Sequence, residues 1–482
     1  MKYSIVTLNN VLVDNEIFRY DADYFHPDAL NILSLLKSKK YCPIEKDFDV
    51  TKLAGFEYTE YFTEENMASV NYYIALTSKN IQNEELNLQE YLKIDKIVAD
   101  ENLKRSKLLK GDVILSYTGE YRRALTLFED NYQLGPNICL IRNKNSELKP
   151  TYLSTFLNSK FGQTMLDKEK TLSAQPTVAM SRIRKIPIPI LSDGFQKLID
   201  WCIKLKHSNI EKSKKLYKQS EELLLNELDL LDWQPKHNLY SIKKYSEIKK
   251  ANRYDAEYFQ PKYDELIENI KSYQNGWDKL SHMIKDPKKG IEVGTEEYCK
   301  KGIPFIRVSN LSQYEINDNN MQYISENHYN SIANSYQPKK GEILLSKDGT
   351  PGIAYYLNET PQKMIPSGGI LRLSINNDEY LPEYLTLVLN SIVVQMQVER
   401  VSSGALIKHW LVDELQNTLI PKLEMSKQLE VVEKLKEATI LRKQSKQLLK
   451  IAKRGVEIAI EKNEEAATNW INEQLSNIGV KI

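Results

Sequence analysis

The chain has 482 residues, of which 41% are hydrophobic and 27% are charged, and its formal net charge is +1. This length predicts two to four domains with hydrophobic cores. The near-zero charge neither requires nor excludes a polyanionic partner, because acidic surfaces elsewhere can offset a local basic face. No apolar run approaches the roughly 20 residues of a membrane-spanning helix, and the N-terminus lacks the apolar stretch of a signal peptide. The four cysteines form no C-x-x-C pair, so we expect a cytoplasmic protein with reduced thiols and no zinc.

The chain contains the same series of motifs twice. Arg-Tyr-Asp-Ala-Asp-Tyr-Phe-His-Pro at 19–27 returns as Arg-Tyr-Asp-Ala-Glu-Tyr-Phe-Gln-Pro at 253–261. Lys-Gly-Asp-Val-Ile-Leu-Ser at 110–116 returns as Lys-Gly-Glu-Ile-Leu-Leu-Ser at 340–346. Two shorter matches follow in the same order, Phe156–Ser159 with Val388–Ser391 and Ile188-Pro189 with Ile420-Pro421. The offset stays at about 230 residues, which is too long for a solenoid repeat and predicts a duplicated domain.

In chain order, residues 1–192 are predicted to form a globular α/β domain, with strands at 113–115 and 138–142 and a helix over 151–167. Residues 186–190, Ile-Pro-Ile-Pro-Ile, are expected to be extended, because proline removes a donor and restricts its predecessor. Segment 193–235 is predicted to be a spacer with a long helix from 196 to about 231. A second globular domain follows at 236–424. Segment 425–482 is predicted to hold a second long helix, from 427 to about 462, and a C-terminal tail.

The two long helices carry apolar and small residues at heptad spacing. Their rows align at an offset of 232 residues, which places Ser213 on Ser445. Because small residues let helix backbones approach closely, we expect an antiparallel coiled coil with pseudo-two-fold symmetry, although each helix could instead cap its own domain. The expected pairing residues are Ile203, Ile210, Ser213, Tyr217, Leu224, Leu435, Ser445, Leu449, Ala452 and Val456. Arg442 interrupts the second row, and we expect it to leave the pair or to meet Glu211 or Glu221. The fold class is therefore α+β, with two similar α/β domains that are each followed by a long helix.

Sequence signatures of catalysis are absent. The chain has no phosphate loop, no G-x-G-x-x-G turn, no H-E-x-x-H and no G-x-S-x-G elbow. Carboxylates at Asp21 and Asp23, and again at 255 and 257, could bind a metal, but Arg19 and Arg253 beside them favour structural ion pairs. We therefore expect no catalytic residue, no metal and no cofactor in this chain.

Two loops at equivalent places in the repeats are candidates for nucleic-acid contact. Residues 116–123 and 346–352 each begin with a Ser-x-x-Gly turn and are rich in hydroxyls and cations. Such turns suit phosphates and base edges, although each could be an ordinary hairpin turn. Segments 173–177 and 402–405, taken as equivalent to each other, and residues 307–310 are further candidates, with solvated loops as the alternative. The candidate DNA-contacting residues are Ser116, Tyr117, Thr118, Arg122, Arg123, Gln175, Thr177, Arg307, Ser309, Asn310, Ser346, Lys347, Thr350, Ser402 and Ser403.

The doubled order of R-Y-D-A-[DE]-Y-F-x-P, K-G-[DE]-x-[IL]-L-S-x-x-G, an Ile-Pro segment and a long helix resembles the specificity (S) subunit of type I restriction-modification systems. Residues 302–311 and 341–350 are similar to the target recognition domains of that family. The first-half counterpart of 302–307, near residues 71–76, lacks the glycine and the arginine. No role of Arg307 is therefore carried over to the first half.

The resemblance implies a non-catalytic subunit that takes part in defence against foreign DNA. Each target recognition domain would read one half of a bipartite double-stranded DNA target. The paired helices would set the gap and dock two methyltransferase (M) subunits, and restriction (R) subunits with a motor would join that core. AdoMet, ATP and Mg²⁺ would be bound by these partners, and no membrane partner is expected. A specificity subunit of a type IIB-like or orphan methyltransferase system, a standalone nuclease and a protein-only scaffold remain open.

Overall fold

The computed structural model describes residues 5–7, 11, 19, 21–82, 84–119, 122–171, 174–318, 320–402, 404 and 407–481. The chain packs as two units, one of Met1–Asn209 with Lys443–Ile482 and the other of Ile210–Arg442. The boundary between them falls inside the two long helices, so each unit contains a globular part and half of each helix. The division at 192, 235 and 424 remains a prediction about how the sequence is organised. Within the described residues, no helix combines the length and the apolar character that a membrane crossing requires.

The elements alternate between helices and short strands throughout the chain. The helices are α1 (Pro27–Lys37), α2 (Ile44–Asp47), α3 (Gly55–Tyr61), α4 (Glu64–Ala68), α5 (Lys96–Asn102), α6 (Pro150–Asn158), α7 (Lys160–Glu169), α8 (Met180–Lys185), α9 (Asp193–Glu227), α10 (Tyr245–Ala251), α11 (Pro261–Ser272), α12 (Glu326–Tyr336), α13 (Pro382–Asn390), α14 (Ile392–Val401), α15 (Val412–Gln416), α16 (Met425–Glu461) and α17 (Glu464–Asn477). The strands of the first half are β1 (Tyr41–Pro43), β2 (Phe48–Lys52), β3 (Tyr72–Leu76), β4 (Ile81–Gln82), β5 (Glu85–Leu86), β6 (Leu92–Asp95), β7 (Lys107–Leu108), β8 (Val113–Ser116), β9 (Ala124–Thr126), β10 (Tyr132–Leu134), β11 (Ile138–Asn143) and β12 (Pro187–Pro189). Those of the second half are β13 (Trp277–Lys279), β14 (Lys288–Lys289), β15 (Tyr298–Cys299), β16 (Ile303–Ile306), β17 (Gln322–Ile324), β18 (Glu342–Ser346), β19 (Asp348–Gly349), β20 (Ala354–Tyr356), β21 (Ile365–Pro366), β22 (Ile370–Ser374), β23 (Lys408–His409) and β24 (Leu419–Pro421).

Each unit contains two four-stranded sheets, one of mixed strand direction and one fully antiparallel. In the first unit the strand orders are β6-β3-β10-β7 and β2-β11-β8-β9, and in the second they are β15-β17-β16-β21 and β14-β22-β18-β20. The only parallel neighbours in these four sheets of the described chain are β3 with β10 and β16 with β21. The register is also repeated, since Ser116 faces Ile138 and Ser346 faces Ile370. The predicted α+β class and the duplicated domain are confirmed.

The Lys-Gly-acid motif forms the turn before the central strand of each unit. Gly111 and Gly341 have φ of +92° and +90°, a left-handed conformation that favours glycine. The next residue closes the turn with its own carboxylate. Asp112 Oδ2 accepts from the amide of Leu109 at 2.7 Å, and Glu342 Oε2 accepts from the amide of Lys339 at 2.8 Å. The motif recurs because both its glycine and its acid have a backbone task.

The helix predicted over 151–167 is two helices, α6 and α7, with a break at Ser159. Ser159 is extended, with φ −71° and ψ 163°, and its Oγ donates to the carbonyl of Phe156 at 2.6 Å. Serine favours such caps because its side chain competes for backbone groups. The same break separates α13 from α14 at Ser391, whose Oγ donates to the carbonyl of Val388 at 2.8 Å.

The arginines of the first repeated motif form structural ion pairs, as the sequence indicated. Arg19 Nε lies 2.6 Å from Asp21 Oδ2, and Arg253 Nε lies 2.6 Å from Asp255 Oδ2. Burial alone would raise the pKa of Asp21, but its hydrogen bonds with Arg19 and the backbone hold the pKa below its usual range. Each arginine also donates to a backbone carbonyl at the C-terminal end of a helix of its own unit. Arg19 donates to Lys170 after α7, and Arg253 donates to Val401 at the end of α14. The motif therefore anchors the start of each repeat.

The two long helices lie against each other within the second unit. Ser213 Oγ donates to the carbonyl of Ala438 at 2.9 Å, and Ser220 Oγ lies 3.4 Å from the carbonyl of Val431. Rising numbers on α9 meet falling numbers on α16, so these segments are antiparallel. A serine hydroxyl can reach a carbonyl of the facing helix only when the two backbones are close, which is the role expected of small residues here.

The first unit contains the equivalent contact. Ser445 Oγ donates to the carbonyl of Lys206 at 2.7 Å, and Asn209 Nδ2 lies 3.4 Å from Gln444 Oε1. Adding 232 to the numbers of Ser213 and Lys206 gives Ser445 and Ala438, so the donor and the acceptor exchange helices between the two units. Of the residues expected at the pairing surface, Tyr217 and Leu449 are half-buried and the other eight are buried, namely Ile203, Ile210, Ser213, Leu224, Leu435, Ser445, Ala452 and Val456. Pseudo-two-fold symmetry of the whole pair remains a prediction.

Arg442 does not meet a carboxylate as the sequence suggested. Its guanidinium carbon lies 3.8 Å from the centroid of the Tyr314 ring, and Tyr314 packs edge-on against Tyr217 with centroids 5.1 Å apart. Within the described chain it forms no ion pair with Glu211 or Glu221, and its Nε is buried without a hydrogen-bond partner. The alternative that Arg442 meets a carboxylate is therefore wrong, whereas its contact with Tyr314, outside both long helices, agrees with the alternative that it leaves the pair. The face of an aromatic ring, which attracts cations, stabilises this charge.

Tyr314 lies in a hairpin of the second unit in which Leu311 bridges Ile316. The first unit has the β4–β5 hairpin, which places Glu84 between two lysines of the long helices. Lys453 Nζ lies 2.7 Å from Glu84 Oε1, and Lys206 Nζ donates to the carbonyl of Glu84. In each unit, therefore, a hairpin of the globular part packs on the long helices, through an ion pair and a hydrogen bond in the first unit and through aromatic contacts in the second.

The predicted C-terminal tail contains a helix, α17, that packs on the first unit. Ala467, Ile471 and Leu475 recur every fourth residue and are buried in the first unit's core. Gly455 on α16 makes room for them, since a Cβ at that position would lie 2.4 Å from Ile471 Cδ1.

We expect Ser213→Leu to destabilise the protein by about 1–3 kcal/mol, because extra methylenes force packed backbones apart. Ser213→Ala removes only one hydrogen bond and should cost about 1 kcal/mol. Lys218→Leu, at a side chain that is 77% exposed on the same helix, is the matched control. Urea unfolding followed by circular dichroism measures all three variants. Equal midpoints for Ser213→Leu and Lys218→Leu would contradict the close packing.

We expect Tyr314→Leu to lower the free energy of unfolding by about 1–2 kcal/mol, because the half-buried guanidinium of Arg442 loses its aromatic partner. The control is Tyr254→Leu in the same unit, at a side chain that is 78% exposed. Adding Arg442→Met to Tyr314→Leu should recover part of the loss, since no charge without a partner then remains at this position. A double variant less stable than Tyr314→Leu would argue against this account.

Candidate nucleic-acid interface

The loops after β8 and β18 are closed by the same hydrogen bonds. In the first unit the amide of Ser116 donates to the carbonyl of Arg123, and the amide of Arg123 donates to Ser116 Oγ, both at 2.9 Å. In the second, the amides of Ser346 and Ile353 make the same two bonds at 2.9 Å. Both serines are fully buried. Their hydroxyls form hydrogen bonds within the hairpins and are not accessible to DNA. We therefore remove Ser116 and Ser346 from the candidate DNA-contacting residues.

The turn residues also match one another between the loops. Gly119 and Gly349 both have φ of +73°, and Arg122 and Gly352 are both left-handed, with φ of 76° and 96°. In each unit a glutamine of the neighbouring helix, α7 or α14, donates to the carbonyl of this second left-handed residue, Arg122 or Gly352. Gln163 Nε2 donates to the carbonyl of Arg122 at 2.7 Å, and Gln395 Nε2 donates to that of Gly352 at 2.8 Å. One scaffold therefore holds both loops.

A second chain segment pairs with each loop just beyond the buried serine. In the first unit Thr118 bridges Thr177, and their hydroxyl oxygens lie 3.2 Å apart. In the second unit β19 pairs with β23, and Asp348 faces His409. Asp348 Oδ1 lies 2.8 Å from His409 Nδ1. We call residues 117–119 with 175–177 tip 1, and residues 347–350 with 407–409 tip 2.

This pairing corrects the equivalence assumed from the sequence for segments 173–177 and 402–405. Thr177 and His409 hold the same place in their units and differ by 232, which is also the offset of the Ile-Pro segments. The counterpart of 175–177 is therefore 407–409. Sequence reasoning missed Lys408 and His409, although carrying the offset of the Ile-Pro segments back along the chain would have found both.

Ser402 caps the end of α14. Its amide donates to the carbonyl of Val398 at 2.8 Å, and its Oγ is buried without a partner in the described chain. Burial removes Ser402 from the candidates, and Ser403 lies outside the described residues.

The candidate arginines are held by the protein's own groups. Arg122 pairs with Asp167 on α7, and Arg123 Nη1 donates to the carbonyl of Ile81 at 2.9 Å. Arg307 Nη2 donates to the carbonyl of Asn320 at 2.6 Å. These contacts fasten loops to neighbouring elements, so we leave all three out of the set proposed to read DNA.

Asn310 holds a turn at the end of β16. Its Oδ1 accepts from the amide of Arg307 at 3.1 Å, and its side chain is fully buried. In the first unit Asn80 Oδ1 accepts from the amide of Thr77 at 2.9 Å. Asn310 is therefore structural. The exposed Ser309 on the same turn remains a candidate, because Gly369 packs between this turn and Asp348.

The residues that remain sit at the two tips and differ in chemistry. Tip 1 presents the exposed Gln175 and the partly exposed pair Thr118 and Thr177, with Lys52 Nζ 5.8 Å from the ring centroid of Tyr117. Tip 2 presents Gly349, Thr350 and residues 407–409, all of them exposed.

The electrostatics of the tips differ as well. Burial raises the pKa of Tyr117 in tip 1, so its hydroxyl stays protonated and can donate. In tip 2, burial alone would raise the pKa of Asp348, but its hydrogen bonds with Lys347 and His409 hold the pKa below its usual range. Lys347 Nζ lies 2.5 Å from Asp348 Oδ2, and its side chain is only 16% exposed. Tip 2 therefore carries an ionised carboxylate between two nitrogen groups, and tip 1 carries neutral hydroxyls.

No group of three or more histidine, cysteine or acidic side chains in the described chain is placed to hold a metal ion. Asp21 and Asp255, which the sequence raised as possible metal ligands, instead pair with arginines.

No family model and no curated protein matches this chain. Among solved structures it is similar to the type I restriction-modification system S subunit from M. genitalium, at 11% identity and a TM-score of 0.37, over 91% of this chain and 95% of that one. It is also similar to the HsdS subunit from Thermoanaerobacter tengcongensis, at 14% identity and a TM-score of 0.26, over 90% of this chain and 96% of that one. A structure of the type I R-M system matches at 15% identity and a TM-score of 0.28, over 92% and 97% of the two chains. With TM-scores this low, the superpositions carry no functional conclusion.

We expect Ser346→Ala to destabilise the protein by about 1–3 kcal/mol, because the Ile353 amide loses its acceptor inside the hairpin. Thr350→Ala, at an exposed position of the same loop, should leave the unfolding midpoint unchanged. Thermal and urea unfolding of the two variants test this. A midpoint for Ser346→Ala equal to that of Thr350→Ala would return Ser346 to the DNA-contacting candidates.

Proposed function

We propose that this chain is the DNA sequence-recognition subunit of a type I restriction-modification complex. Each unit would read one half of a bipartite duplex target through its tip. The proposed DNA-contacting residues are Tyr117, Thr118, Gln175, Thr177, Ser309, Thr350, Lys408 and His409. Such a complex would act in the cytoplasm, on DNA that lacks the methylation pattern of the host.

The observation that carries the proposal is the shared scaffold beneath two different tips. Buried serine, glycine and glutamine contacts recur at equivalent residues, whereas the exposed residues beyond them do not. A protein that bound one ligand twice would be expected to repeat its contact residues as well as its scaffold. Base edges are distinguished by the donors and acceptors presented to them, so a constant scaffold with changed tips suits two different DNA half-sites.

The helix contacts support a second part of the proposal, that the gap between half-sites belongs to the recognised signal. Ser213 and Ser445 make the same contact with exchanged partners, as an internal two-fold axis requires. Two equivalent surfaces along such a pair would dock two methyltransferase subunits. Restriction subunits with a motor would join through that core, and the partners would bind AdoMet, ATP and Mg²⁺. This chain would perform no chemistry itself.

The test of the function is methylome sequencing of cells with the gene and its neighbouring methyltransferase gene, compared with cells in which only this gene is deleted. We expect one bipartite motif, two short half-sites with a fixed gap, to lose methylation in the deletion strain. If the methyltransferase is expressed and no such motif is lost, the proposal fails.

The two tips should act on different half-sites. We expect Gln175→Ala to weaken DNA binding through one half-site only, and Lys408→Ala to weaken DNA binding through the other half-site only. A lost base contact costs about 1–3 kcal/mol of binding free energy. A lost phosphate contact reduces by about 1 the steepness with which the logarithm of the binding constant falls with the logarithm of the salt concentration. The measurement is binding of the methyltransferase complex to duplexes with either half-site scrambled, at several salt concentrations. Equal effects of either variant on both half-sites would refute the assignment of tips to half-sites.

A further inference from the structure

In each tip, two side chains face each other where the loop pairs with the second chain segment. These two side chains differ between the tips in whether they can change charge. Thr118 and Thr177 in tip 1 carry hydroxyls, which do not change charge in the physiological range. The same two positions in tip 2 hold Asp348 and His409. Histidine is the side chain whose charge changes between about pH 5 and pH 8. Tip 2 therefore contains a titratable group in a position where tip 1 has none.

The geometry divides the two ring nitrogens of His409 between different tasks. Nδ1 lies 2.8 Å from Asp348 Oδ1, so a proton on Nδ1 is held by the carboxylate. In the described chain no group hydrogen-bonds Nε2, and the side chain is 50% exposed. With the Nδ1 proton held in place, Nε2 accepts a hydrogen bond in the neutral ring and donates one in the charged ring.

The groups around the ring favour one fixed orientation. Asp348 and Lys347 face it from the strand opposite, and Lys408 precedes it in the chain. Lys347 shares the carboxylate of Asp348 with the ring, and the backbone of Trp410 donates to the carbonyl of Lys347 at 2.8 Å. Gly404, which carries no side chain, lies next to Cδ2 of the ring. The ring is therefore held at Nδ1 by Asp348, while half of its side chain stays exposed to a ligand.

Resting on the proposed function, we infer that His409 is a specificity-determining contact of tip 2. When charged, it donates from Nε2 to an acceptor on a guanine of the half-site that tip 2 reads. Asp348 is the positioning residue that holds the ring. Recognition of this half-site is then strongest where the ring is charged and weakens as the pH rises and the ring loses its proton. Recognition through Thr118 and Thr177 is independent of pH over the same range.

The experiment uses the full chain with its methyltransferase partners and three duplexes. One duplex carries the complete bipartite motif found by methylome sequencing, and each of the other two has one half-site scrambled. Affinity is measured at fixed salt at about pH 6 and about pH 8, the range over which histidine titrates. We expect discrimination at the tip 2 half-site to fall by about fivefold or more at the higher pH, the loss of one DNA contact. Discrimination at the tip 1 half-site should stay constant.

Variants separate a contact from a purely structural role. His409→Gln should remove the pH dependence at the tip 2 half-site and leave discrimination there near its high-pH value, with an unchanged melting temperature. Thr118→Asp combined with Thr177→His should bring pH dependence to the tip 1 half-site. If His409→Gln instead lowers affinity for both half-sites at every pH, or if the wild type shows no difference between its half-sites, the inference is overturned. A complex that prefers no duplex at any pH would instead defeat the proposed function.

Discussion

The architecture depends on the close approach of the two long helices. Where the two helix backbones lie closest, the side chains are small serines. Their hydroxyls donate to carbonyls of the facing helix, as Ser213 does to Ala438. A helix carbonyl already accepts a bond within its own helix, and its second lone pair is normally reached only by a small donor. Within each unit, the close backbones allow apolar residues of both helices to enter that unit's own core. A larger residue at either serine would remove the contact that the globular parts pack around.

The globular parts meet these helices through hairpins that differ in chemistry. Glu84 pairs with lysines in the first unit, whereas Tyr314 lies beneath Arg442 in the second. Both solutions stabilise a charge at the helix surface, one by an opposite charge and one by an aromatic face. The duplication has therefore conserved the position of the contact while its side chains diverged. The tips show the same pattern: their hydrogen-bonded scaffold is common, and their exposed residues are not.

The sequence predicted much of the fold because the repeat preserves residues with backbone tasks. Gly111 needs a left-handed conformation and Asp112 caps its own turn, so both return in the second half. The candidate site was predicted less well. Ser116 lies in a repeated motif and Asn310 lies in the segment that resembles a target recognition domain, yet both are buried and structural. Residues that are repeated for folding and residues that are exposed for binding look alike in a sequence that is rich in hydroxyls and amides.

The duplication, the α+β class, the long helices and the offset that relates the copies could all be predicted from the order of residues. These features follow from local preferences and from spacing, which the order of residues contains directly. The residues that stand at the tips, in contrast, are apparent only once the chain is folded. The tertiary structure paired Thr177 with Thr118 and His409 with Asp348, and it turned Arg122, Arg123 and Arg307 toward the protein. The two tip pairings join segments about 60 residues apart, and the directions of the arginine side chains depend on packing that no local pattern encodes.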